Sequence, residues 1–272
     1  MPELPEVETI RRDLAPRIVG RTVVEAWVSP DAPRLVQGET ADSFCHRLAG
    51  RSIQEVARRG KYLLLRLDGG FTWIVHLRMT GGLIQAREGC PNERFLRARF
   101  RLDDGSDLCY VDMRKLGTMW LVQDESTVIG KLGPEPLDEG FQPQDLRDVL
   151  ARRSAPVKAV LMDQRVVAGI GNIYADEALF EAGIRPRKAA RRVSRNAAER
   201  LHGAIRRVLL EALGDRGSSF RDYVDADGQQ GTHQLRVKVF RRTGEPCYVC
   251  GAAIRRVKVG GRSTHYCPKC QK

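Results

Sequence analysis

The sequence predicts an α+β, multidomain chain: an antiparallel all-β region led by a helix, then a helical region, then a cysteine-bounded hairpin. Three observations carry that prediction. Apolar alternation with glycine-rich turns runs through residues 1–130, a helical period replaces it from Gln144 onward, and two C-x2-C pairs close the chain.

Residues from Pro5 to about Ile18 read as a helix, because Pro5 suits a first turn, Glu6 and Glu8 favour the positive helix end, and Val7, Ile10 and Leu14 recur at helical spacing. Thr22–Val28 is rich in β-branched residues, and Lys61–Leu67 and Phe71–Met79 flank the turn Asp68-Gly69-Gly70. In Leu96–Leu102, Leu96, Ala98, Phe100 and Leu102 share one face while Arg97, Arg99 and Arg101 share the other. Leu108–Asp112 and Thr118–Gln123 complete a sandwich or barrel. The two prolines of Gly130-Lys-Leu-Gly-Pro-Glu-Pro136 stop regular structure, so residues 131–140 read as a linker. Helices are expected over 144–153, 156–164, 172–182 and 194–213, and a polar loop at 217–231 leads into the basic C-terminus.

A chain of 272 residues can bury a core, and its net charge of +12 favours a polyanionic partner. Most of that charge lies in residues 234–272, where ten lysines and arginines face one acid, Glu245. Arg185, Arg187, Lys188, Arg191, Arg192 and Arg195 form a second block without an acid. A solvated face explains either block alone, whereas two together lean towards phosphate. No apolar run reaches bilayer-spanning length, and the start lacks the basic-then-apolar order of a signal peptide, so a cytoplasmic protein without membrane association is expected.

Cys247-Tyr-Val-Cys250 and Cys267-Pro-Lys-Cys270 form C-x2-C-x16-C-x2-C, the spacing of one tetrahedral structural zinc on the two turns of a hairpin. Two disulfides compete with zinc, but Cys45, Cys90 and Cys109 are unpatterned and no export signal is visible. Four thiolates leave no open coordination position, so the metal would stabilise a hairpin that presents basic residues to phosphate.

The opening PELPEVET, the segment GIGNIYADEALF (169–180) and the ending GRSTHYCPKCQ (261–271) resemble bacterial formamidopyrimidine-DNA glycosylases along the whole chain. Leu4 favours that branch over the related endonuclease VIII branch, which usually begins Pro-Glu-Gly-Pro-Glu. The resemblance implies a β-sandwich (1–130), a helix-two-turns-helix domain (141–233) with a lesion-capping loop (217–231), and a four-cysteine zinc finger (234–272). It implies a monomeric bacterial base-excision-repair enzyme without a small-molecule cofactor. Such an enzyme excises 8-oxoguanine and formamidopyrimidines from damaged double-stranded DNA and then cuts the strand.

The same resemblance gives the carboxylate-rich tip a purpose. Loss of Met1 would free Pro2, and a terminal amine titrates near pH 8, against about 10.4 for lysine. Pro2 is then the expected nucleophile that forms a Schiff base, Glu3 the acid, and Glu6 its helper. An ordinary helix start is the bland alternative. Lys61 and Arg262 match the family's phosphate-contacting lysine and the finger arginine associated with δ-elimination. Asn172, first in its helix, matches a phosphate ligand and could equally be an N-cap, and His76, Arg114, Arg153 and Lys158 match DNA contacts by position. Met79, Arg114 and Leu116 match the side chains that fill the gap left by an extruded base. Leu116 replaces the usual phenylalanine, Phe240 a tyrosine, and Phe95 with Arg97 a histidine pair. Ser218, Ser219, Phe220, Arg221 and Tyr223 fall in the expected lesion-recognition loop, for which a disordered connector is the rival. An endonuclease VIII-like enzyme for oxidised pyrimidines and a catalytically silent finger protein are the alternative functions.

Overall fold

A computed structural model describes residues 2–220 and 222–272; Met1 and the expected loop residue Arg221 lie outside the described residues. The chain forms two units, Met1–Lys131 with Asp215–Gln234, and Leu132–Gly214 with Leu235–Lys272.

The first unit is a sandwich. Helix α1 (Leu4–Ile18) precedes β1 (Val23–Val28), α2 (Ala41–Leu48), β2 (Ile53–Arg59), β3 (Tyr62–Leu67), β4 (Thr72–His76), β5 (Gly81–Ala86), β6 (Leu96–Leu102), β7 (Asp107–Asp112), β8 (Thr118–Val122) and the short α3 (Ser126–Ile129). The strands form two antiparallel four-stranded sheets, ordered β1-β6-β7-β5 and β2-β3-β4-β8. Apolar residues of both sheets meet in one core: Phe100 and Tyr110 from one, Leu63, Leu65 and Trp73 from the other, joined by Val7, Ile10 and Leu14 of α1. Trp73 and Phe100 meet with their rings tilted, 4.3 Å between centroids, and Phe44 of α2 packs edge-on against both. The alternation of β6 holds with one exception: Arg97 is buried, and its Nε donates to the Asp112 carbonyl at 3.0 Å.

The segment Asp215–Gln234 departs from the expected division, which puts it with the helices. It returns to the sandwich because Tyr223 and Ala226 belong to that core and Gln85 N–H donates to Ala226 O at 3.0 Å. Two of the three unpatterned cysteines, Cys90 and Cys109, are joined by a disulfide between the β5–β6 loop and β7, leaving the four finger cysteines untouched.

The second unit holds α4 (Pro143–Ala151), α5 (Val157–Leu161), α6 (Asn172–Glu181), α7 (Arg195–Gly214) and the hairpin β9 (Arg255–Val259) and β10 (Arg262–Tyr266). The stretch expected to be a linker is instead bonded to this unit, since Gly133 N–H donates to Gln164 O at 2.8 Å and Ala168 N–H to Pro134 O at 3.0 Å. Helix α6 is buried from Ile173 to Phe180, and that stretch includes two carboxylates, Asp176 and Glu177, which burial obliges to find partners. Its Glu177 accepts the backbone N–H groups of Lys238, Val239 and Phe240, fixing the chain that enters the finger; burial nevertheless pushes its carboxyl up. Val239, Cys247, Ile254 and Cys267 of the finger pack with Phe180 in a small apolar cluster that holds two of the four motif cysteines, a modest core to which a structural metal would add stability.

Candidate active site and nucleic-acid interface

Helix α1 begins at the tip because Glu3 and Glu6 form a reciprocal capping box, in which Glu3 N–H donates to Glu6 Oε2 at 2.8 Å. Pro2, Glu3 and Glu6 are all buried. The other oxygen of Glu6 accepts Ser218 N–H at 2.7 Å. That contact requires Gly217, whose φ is +82° and where a Cβ would come within 2.9 Å of the Glu6 side chain. Tyr223 Oη donates to the Glu6 carbonyl at 3.3 Å, and burial beside the Glu6 carboxylate pushes its hydroxyl well above the ordinary tyrosine range. Glu6 thus holds both the terminal turn and the returning loop.

Glu8 joins the tip to the β2–β3 turn. It pairs with Arg11, Arg12 and, at 3.1 Å, Arg58. Burial opposes its charge, but these guanidinium groups prevail and hold its carboxyl below the usual range. The same turn carries Lys61, which is 5 % exposed. On β4, His76 pairs in register with Tyr62 of β3 and meets its ring edge-on at 4.5 Å. Burial, then Arg78 and Lys61, push the imidazole down to about 3. Its Nδ1 accepts Arg78 N–H at 3.0 Å, so the neutral ring keeps its proton on Nε2.

The residues expected to fill the gap lie close together. Arg114 Nη1 lies 3.2 Å from Met79 Sδ, and Met79 and Leu116 are 37 % and 42 % exposed. Beneath them is Asp112, a buried carboxylate that sequence reading passes over as a strand end. The loop residues Ser218, Ser219 and Tyr223 are buried and bonded: Ser219 Oγ donates to Tyr223 O at 2.8 Å and accepts Gly231 N–H at 3.0 Å. A loose connector makes no such network.

In the second unit, Gln164 shapes the turn before α6 by accepting Gly169 N–H and donating to Ile170 O. Asn172 Nδ2 donates to Ser263 O at 3.1 Å, so Asn172 ties α6 to the finger and does not cap its own helix. Arg262, which the β9–β10 turn exposes, follows Gly260 and Gly261, both at positive φ. Arg153 is half exposed, 4.0 Å from Asp163. Lys158 requires correction: it is fully buried, its Nζ 2.7 Å from Asp176 and bonded to Ser263 O and Thr264 Oγ1, so it supports the finger from within and has no surface to offer a phosphate.

The four finger sulfurs lie within 4.8 Å of one another, with Cys250 and Cys267 3.4 Å and Cys247 and Cys270 3.9 Å apart. Tetrahedral zinc with bonds of about 2.3 Å needs sulfurs about 3.8 Å apart, so this donor set fits one structural ion. Among the described residues, no helix is long and apolar enough to cross a membrane.

Three family models match in succession: the formamidopyrimidine-DNA glycosylase N-terminal domain over residues 1–119, its H2TH domain over 132–223, and the zinc finger found in FPG and IleRS over 244–272. The formamidopyrimidine-DNA glycosylase of Heliobacterium modesticaldum is 47% identical, with all of both chains covered. A crystal structure of a Lactococcus lactis FPG mutant with Fapy-dG containing DNA superposes at a TM-score of 0.92, 38% identical over all of both chains. A complex of the Lactococcus lactis protein with abasic site containing DNA gives 0.91 at 38% identity over 99% of each. Sandwich, helical unit and metal finger define a DNA-repair glycosylase with a structural zinc. The chain belongs to the formamidopyrimidine-DNA glycosylase family.

Proposed function

We propose that this chain excises 8-oxoguanine and formamidopyrimidines from duplex DNA and then cuts the strand by β,δ-elimination, with Pro2 as nucleophile. The observation that carries the reading is the double hold of Glu6, on the Glu3 amide at 2.8 Å and on the Ser218 amide at 2.7 Å. It keeps nucleophile, acid and capping loop in one arrangement before substrate arrives, which is what proximity catalysis needs.

In this reading the mature chain begins at Pro2, whose amine attacks the sugar C1′. The base leaves with the glycosidic electron pair and takes up a proton, while Glu3 protonates the opening sugar oxygen. The resulting iminium acidifies the C2′ proton. Loss of that proton expels the 3′ phosphate, and a second elimination expels the 5′ phosphate. Lys61 and Arg262 assist the phosphates, with the neutral His76, Arg153 and Asn172 as further contacts. Met79, Arg114 and Leu116 occupy the vacated stack. Zinc takes no part in these steps and holds the finger.

Borohydride trapping on a duplex with one 8-oxoguanine opposite cytosine tests this. The chain beginning at Pro2 should trap; a chain retaining Met1, or Glu3→Gln, should bind the duplex without excising. An adduct mapped to Lys61, or full trapping with Met1 retained, would falsify the mechanism. Faster cutting at an oxidised thymine than at 8-oxoguanine would favour the pyrimidine-specific alternative.

A further inference from the structure

The loop after β7 is built inside out. A carboxylate lies at its centre, 1 % exposed, while Met113, Leu116 and neighbouring Met79 show 48 %, 42 % and 37 % of their surface to solvent. The carboxylate is Asp112. Its Oδ1 accepts from Thr80 Oγ1 and from Arg114 N–H at 3.1 Å; its Oδ2 accepts Leu116 N–H and Gly117 N–H, both at 2.8 Å. A carboxylate offers about four lone-pair sites, and protein donors meet all four here. Successive amides turned inward around an anion form a nest, which Lys115 closes with a φ of +53°. A loop that buries charge and exposes apolar groups is shaped for contact with something other than water.

The same carboxylate joins two distant segments. Thr80 donates its hydroxyl proton to Asp112 and accepts Arg114 N–H at 3.2 Å, so the Met79–Thr80 and Arg114–Gly117 segments both hang from one group. Below them, a Cβ on either Gly81 or Gly117 would collide with the buried Tyr110 hydroxyl. The two loops therefore close over a fixed floor and meet at a fixed anchor.

We infer that Asp112 is a positioning residue for base extrusion, presetting Met79, Arg114 and Leu116 as one wedge before DNA is met. The inference rests on the gap-filling reading of those three side chains. A wedge ordered in advance leaves less conformational entropy to lose on insertion. Asp112→Asn keeps the shape but turns one acceptor into an N–H2 that cannot accept the bonds made there.

The readout is a ratio: single-turnover excision of 8-oxoguanine from duplex DNA, divided by β-elimination at an abasic site in a single strand, where no stack needs opening. Asp112→Asn should lower this ratio by roughly tenfold to a hundredfold, the scale of a lost hydrogen bond to a charged group. Thr80→Val, which removes only the bridging hydroxyl, should shift it less in the same direction and serves if the first variant folds poorly. Combined with Leu116→Ala, Asp112→Asn should add little. Leu116→Ala and Arg114→Ala run alongside. If they lower the ratio and Asp112→Asn does not, the positioning role fails while the wedge stands. If they leave it unchanged, the wedge reading itself fails. Equal losses by Asp112→Asn on both substrates would reduce Asp112 to a support of the fold and overturn the inference.

Discussion

His76 keeps its proton only near pH 3, whereas an unfolded histidine takes one up near 6.5. Between those values the unfolded chain binds a proton that the folded chain refuses, so this site costs stability as pH falls from about 6.5 and has no effect above it. The cost approaches about 1.4 kcal/mol per pH unit. Urea unfolding at pH 7.5 and pH 5 should show the wild type losing more stability between the two than His76→Gln does. Equal losses would mean that the imidazole is charged in the fold. The burial responsible could not be read from the sequence, where His76 is a polar residue within the expected strand Phe71–Met79 and a DNA contact matched by position. Pro2, Glu3 and Glu6 stand out in the sequence through the PELPEVET motif, which is local, whereas the partner of Glu6, the Ser218 amide, lies 212 residues away. Asp112 escaped notice for a related reason, since its partners include backbone amides, which carry no residue identity.

At the scale of elements, the buried pair Lys158–Asp176 joins α5, α6 and β10, with His265 N–H also donating to Asp176 at 2.9 Å. Removing one partner of such a pair strands a charge. Asp176→Asn should therefore cost about 3–5 kcal/mol in urea unfolding, and a loss below about 1 kcal/mol would show the Lys158 ammonium finding water. Positional resemblance put Lys158 at a phosphate because charge is visible in sequence and burial is not. Helices α4 to α7 were legible from their period. Strands β2 and β5 were not: Ile53–Arg59 mixes charge with apolar residues, and Gly81-Gly82 at the head of β5 looks like a turn. Their strand state comes from pairing with β3 and β7, a long-range fact.

For the whole molecule, sequence signals of composition and period reach as far as a two-part plan, because the switch from alternation to helical spacing is coarse. They do not reach the return of Asp215–Gln234 to the sandwich, which turns on where Tyr223 and Ala226 are buried. A fragment of residues 1–131 would lack those two core side chains and the amide that Glu6 binds. It should unfold with a lower urea midpoint than the intact protein's first unit, and adding the 215–234 peptide should recover part of the loss; an unchanged midpoint without the peptide would show that the loop only rests on the surface.

That return also bears on inheritance. A gene crossover near codon 131 between two relatives looks like a clean exchange of modules, yet it delivers a sandwich from one parent and its closing segment from the other. Glycine at 217, the Ser218 amide and Tyr223 would then face a foreign Glu6, and Arg216 a foreign Asp13. Viable hybrids should carry residues 1–131 and 215–234 from the same parent, so these two stretches of gene are bound to travel together although 83 codons separate them.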